Sequence, residues 1–204
     1  MCVCYWINTT VMGCLQSRSG PQIQREVASA PDMADGFCDP APPAPTDPRL
    51  PLSALQVFKL KKSWKGIKRC MEATGVEMFI RLFKANGDLK QLFSSFRDLT
   101  NDDDLRVNEN LEKHATLVMG IFDEAISNVD NVDYTLDVLQ RAGGKHTRFP
   151  GFQPDLFVWM EQPFLEAVKQ TLGDRYTDNM DVIYKITIKF ILDNMVKGNK
   201  NALS

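Results

Sequence analysis

Cysteine is scarce where a fold would need it. Four of the five, Cys2, Cys4, Cys14 and Cys38, fall in the first 50 residues, and only Cys70 lies beyond them. That distribution excludes a disulfide framework and fits the reduced thiols of a cytoplasmic protein. A charge excess is also lacking. The 24 basic and 26 acidic residues leave a net charge of −2, too little to draw the chain to nucleic acid. No apolar run reaches the roughly 18 residues that a spanning helix needs. The opening string MCVCYWINTTV has no basic residue ahead of its apolar part and makes a poor secretory signal. The Asn8-Thr9-Thr10 sequon is therefore expected to stay idle. Phosphate-loop and dinucleotide glycine patterns are missing, and two histidines without patterned cysteines or carboxylates do not make a zinc site.

What is present divides the chain near residue 50. Residues 1–50 hold seven of the eleven prolines, including the run DPAPPAPTDP. Such a segment buries too little surface to offset its ordering entropy, so 1–51 is expected to be a disordered tail. From Leu52 to Ser204 apolar residues recur at helical spacing. Ser53-x-x-Gln56 reads as a capping box, followed by Val57, Leu60, Trp64 and Ile67 on one face. Val76, Phe79, Ile80 and Phe83 mark a second helix that ends near Gly87. Leu89, Leu92, Phe93 and Phe96 form a short aromatic segment. Leu111, Ala115, Val118, Phe122 and Ala125 stripe a helix over about 108–127, and another is expected over about 132–146. Phe157 to Leu172 is helical, with Pro163 kinking it or resetting its start. A last helix spans about 175–197, with Gly198 as its C-cap. No segment alternates like a strand, so the domain is all-α.

His114 and His146 are the only histidines, and both continue the inward stripe of their helices. Imidazole seldom faces a core without a partner. It is a common axial ligand of haem iron. Phe79, Phe83, Phe93, Phe96, Val118, Phe122 and Phe152 supply the lining that a large flat apolar cofactor requires. A merely aromatic core, in a helical interaction domain without cofactor, is the competing reading.

At these residues the sequence resembles the globin family, most of all neuroglobin-type and nematode globins. Trp64 falls 50 residues before His114, and Phe93 falls 21 before it. These are the spacings of the family's first-helix tryptophan and haem-stacking phenylalanine to its distal histidine. LKQLFSSFRDL resembles the corner that holds that phenylalanine. NLEKHATLVMGIFDEAISNVDNV resembles the distal helix, and LQRAGGKH the string ending in the iron-ligating histidine. The resemblance implies a globin fold, a three-over-three helical sandwich around haem b. It implies His146 as proximal iron ligand, His114 as distal histidine able to ligate iron, Val118 as the residue setting pocket width, and Phe79 and Phe93 as cofactor contacts. Two departures stand out: Gly87 or Asp88 replaces the usual proline of the short third helix, and Pro163 sits in the penultimate one.

The implied function is reversible binding of oxygen or another diatomic gas, in sensing or redox signalling rather than as a dedicated enzyme. Five-coordinate oxygen storage or transport is the alternative. The tail adds one motif. Met12-Gly13-Cys14-Leu15-Gln16-Ser17 matches the N-myristoylation pattern, with Cys14 placed for palmitoylation. It operates only if translation begins at Met12, and it would then tether the domain to the cytoplasmic face of a membrane. Only Arg18 and Arg25 lie near it, so the tail itself offers little attraction to anionic lipid.

Overall fold

The computed structural model describes residues 47–204. The acylation motif and the rest of the expected tail up to residue 46 lie outside the described residues. Packing begins before Leu52, the boundary expected from sequence. Leu50 is only 6% exposed and belongs to the core. Arg49 bridges Asp47 at 2.6 Å and Asp133 at 2.8 Å.

Seven α-helices follow: α1 (Ala54–Lys68), α2 (Met71–Ala85), α3 (Asp102–Arg106), α4 (Glu109–Ser127), α5 (Val132–Lys145), α6 (Glu161–Leu172) and α7 (Asp178–Leu203). Short 3-10 turns occupy Gly87–Leu92, His146–Arg148, Pro154–Met160 and Gly173–Arg175. The described residues contain no strand. One layer runs α1–α4–α5 and the other α2–α6–α7, with α2 against α4 and α5 against α7 joining them.

Local chemistry explains most of the boundaries. The capping box forms at α1: the Gln56 amide donates to Ser53 Oγ at 3.3 Å, and the Ser53 amide donates to Gln56 Oε1 at 2.9 Å. Asn108 caps α4 by accepting from the Asn110 and Leu111 amides. Gly173 ends α6 at φ +54°, a left-handed conformation that only glycine adopts without penalty. Pro163 resets a start rather than kinking a helix. The chain runs as a 3-10 turn to Met160, and Pro163 occupies the first turn of α6, where its missing N–H has no partner to lose. The indole N–H of the buried Trp64 donates to Asp123 at 2.8 Å, pinning α1 to α4.

The last helix departs from expectation. It continues to Leu203, and Gly198 lies inside it rather than capping it. The reason is tertiary. A Cβ on Gly198 would lie 2.1 Å from the Gln140 carbonyl oxygen, and one on Gly143 would lie 1.9 Å from that of Met195. The two glycines let the backbones of α5 and α7 touch. The buried Asn199 side chain then donates to the Gly143 carbonyl at 3.1 Å, which also accepts from the His146 amide at the end of α5.

Candidate haem cleft

Between the layers lies a cleft whose empty space, counted to its open mouth, is about 980 Å³. Phe79, Phe93, His114, Val118 and His146, the five residues singled out in the sequence, all line it. Leu192 and Met195 of α7 join them, together with Phe149, Phe152, Phe157 and Met160, which follow α5.

The two histidines sit in different aromatic walls. His114 projects from α4 and meets the edges of Phe79 and Phe93, with ring centroids at 5.0 and 5.1 Å. Phe93 in turn stacks on the buried Phe96 at 5.0 Å. His146 caps the C-terminus of α5 and packs on Phe152 and Phe157, both at 4.8 Å. Its Nδ1 lies 2.9 Å from the Ala142 carbonyl oxygen. A carbonyl only accepts, so Nδ1 carries the proton and the Nε2 lone pair is left free.

Burial keeps both rings neutral. It pushes His114 down from 6.5 to about 4, assisted by repulsion from His146. Burial also lowers His146, opposed by the hydrogen bond to Ala142. A neutral imidazole is the form that coordinates metal. The lowered value has a consequence for the ligand-free chain. Between about 4 and 6.5 the unfolded chain binds a proton at His114 that the folded chain refuses. Stability is therefore full above the upper limit and drains away as pH falls toward the lower one. The shift corresponds to roughly 3 kcal/mol. Urea midpoints measured at pH 7 and pH 4.5 should separate less in His114→Leu than in the parent, and equal separations would refute the assignment.

The cleft therefore meets the requirements of haem as a group: an apolar slot, aromatic faces, and a neutral imidazole whose free lone pair is fixed by a hydrogen bond. No cluster of three or more metal-ligating side chains occurs among the described residues. A metal here thus calls for a carrier that brings its other ligands.

Sequence reading missed a polar brace beside the cleft. Glu77 on α2 is buried. Its Oε1 lies 2.8 Å from Arg81 Nε and its Oε2 lies 2.7 Å from Arg106 Nη1 on α3. These are ion pairs by distance but poorly aligned as hydrogen bonds, since Glu77 Oε2 and Arg81 Nε have no hydrogen-bond partner among the described residues. Arg81 also reaches Glu166 at 2.7 Å, tying in α6. A glutamate among apolar positions at 76, 79, 80 and 83 was the available signal.

Comparison with known proteins decides the family. The profile of the globin family matches residues 76–195, more than half of the chain. The chain is a globin. It is 26% identical over 127 residues to cytoglobin-2 of Danio rerio, covering 62% of this chain and 71% of the relative. To neuroglobin of Tetraodon nigroviridis it is 25% identical over 147 residues, covering 72% and 92%. Among solved structures, it superposes with TM-score 0.74 on a hexacoordinated haem protein from an anhydrobiotic tardigrade, crystallised at pH 4. That pair is 41% identical over 76% of this globin and 99% of the other chain.

Proposed function

We propose that this globin holds haem b in the cleft, with His146 Nε2 as the iron ligand and His114 controlling the other side, and that it serves gas sensing or redox signalling. The observation that carries the reading is the pair of neutral histidines in separate aromatic walls of one apolar cleft. Bound there, an iron porphyrin supplies a metal centre that takes a diatomic gas or exchanges one electron.

The chain's own contributions follow from the geometry. The Ala142 carbonyl fixes the tautomer and ring plane of His146. Phe93 offers a flat face to the cofactor and, with Phe79, excludes water. Val118 sets the width of the cleft one helical turn beyond His114. A neutral His114 has one lone pair and one N–H. The lone pair suits iron ligation. The N–H suits a hydrogen bond to a gas molecule, strengthened by the dry surroundings. Phe79 carries no hydroxyl to compete as donor.

We assign His114 to ligation in the gas-free state, supported by the hexacoordinated haem protein that this globin resembles. The ferrous, gas-free protein should show a six-coordinate, low-spin spectrum that becomes five-coordinate in His114→Leu. A five-coordinate spectrum in the unmutated protein would instead support oxygen storage or transport.

A further inference from the structure

The exposed side of α1 is a basic stripe. Lys59, Lys62, Lys65 and Arg69 recur at helical spacing along it, and Arg175 from the turn after α6 joins them around one open groove. No carboxylate lines that groove, and among the described residues none of the five makes an ion pair. The other cations of α1 are spent: Lys61 is paired with Asp130 at 2.7 Å and Lys68 with Asp123 at 2.9 Å. Gly66 lets Leu172 and Arg175 pack close to α1, since a Cβ there would meet Leu172 Cδ2 at 3.0 Å and the Arg175 guanidinium at 3.2 Å. Leu55 and Phe58 continue the same face toward the N-terminus and stand 59% and 63% exposed. Residues 51–204 carry 21 basic and 21 acidic side chains. The stripe is therefore a local asymmetry that orients the molecule rather than a general attraction to polyanions.

We propose that this face docks on a membrane surface rich in anionic phospholipid. Cations beside exposed leucine and phenylalanine on one helix face are what an interface of phosphate headgroups and acyl chains accepts. An acidic protein would satisfy the cations alone and leave Phe58 without a role. The stripe also supplies what the N-terminal sequence lacks. A single myristoyl chain gives marginal membrane binding and needs a second signal, and few cations lie near Gly13. The inference stands apart from haem binding.

The full chain, produced in bacteria so that it carries no acyl group, is sedimented with vesicles of phosphatidylcholine alone or with phosphatidylserine. It should pellet with the phosphatidylserine vesicles and be released by high salt. Each surface cation is worth about fivefold in partitioning, so Lys62→Ala with Lys65→Ala should reduce binding on the order of 30-fold. Arg69→Ala with Arg175→Ala should act similarly. Phe58→Ser should weaken binding without changing its salt dependence. These positions are exposed, and unchanged thermal melting confirms that the variants fold. Equal binding to both vesicle types, or unchanged binding by both double variants, overturns the proposal. So does binding to soluble polyglutamate as tight as to vesicles and indifferent to Phe58→Ser, which would make the face a dock for an acidic protein.

Discussion

His146→Gly is expected to purify without bound haem, and added imidazole should restore a ligated spectrum. His146 is the one side chain in the cleft with a lone pair aimed by a backbone hydrogen bond, which its Nδ1–H donates to the Ala142 carbonyl at 2.9 Å. Loss of an outer partner of a metal ligand typically costs about 10–100-fold in affinity. Loss of the ligand itself should exceed that range. Phe93→Ala provides the graded comparison: it keeps the ligand but removes a flat face, so haem should leave faster than from the parent and far more slowly than from His146→Gly. Haem transfer to an excess of apomyoglobin measures the rates for the parent and Phe93→Ala, and for His146→Gly after it has been loaded with haem and imidazole. A His146→Gly protein that retains haem with an unchanged spectrum would mean that His114 is the principal ligand.

The second large effect is expected at the crossing of α5 and α7. Gly143→Ala or Gly198→Ala would place a methyl about 2 Å from a backbone carbonyl oxygen of the other helix. Overpacking a core typically costs about 1–3 kcal/mol and occasionally more. Here the obstacle is backbone, which no rotamer change relieves, so either variant should reach or pass the top of that range. Gly120→Ala is the internal control. A Cβ there meets nothing within 4 Å, and α4 should gain about 0.5–1 kcal/mol from the better helix former. Urea unfolding of the three variants gives the ordering. A Gly143→Ala protein as stable as the parent would show that the helices separate without cost. Since α5 ends at His146, the damaging variants should also hold haem less well.

These two sites differ in how plainly the sequence announced them. Both histidines and their phenylalanine neighbours were legible, because a rare polar residue at an apolar position is conspicuous. The face of α1 and most of that of α4 followed from spacing alone, whereas Pro163 left open whether α6 was kinked or began anew, and the helix starts at Glu161 rather than Phe157. Gly198 was misread as a helix end, since a glycine near a C-terminus looks the same whether it caps a helix or admits a neighbour. Only the partner helix distinguishes the two, and Gln140 lies 58 positions away. Val118 was placed on the inward stripe of α4. In the fold the fully buried position is Met119, and Val118 is half-buried at the cleft wall. Glu77 escaped notice because its second partner, Arg106, comes from α3, a helix of five residues, while Arg81 lies on its own helix.

The fastening of the segment above the cleft has a kinetic meaning. Phe93 and Phe96 sit between the turn at Gly87–Leu92 and α3, where there is no long helix to hold them. The segment is clasped by charge: Lys84 with Asp102, Arg106 with Glu77, and Lys90 donating to the Leu99 carbonyl. The exposed Lys84–Asp102 clasp loosens as salt rises, whereas the pair at the buried Glu77 and the apolar helix packing respond far less. Ionic strength should thus act as a throttle on traffic, hastening the entry and exit of molecules past Phe93 while the melting temperature stays nearly fixed. Stopped-flow uptake of carbon monoxide across a salt series would expose this, and a rate independent of salt would place the barrier in the aromatic packing around His114.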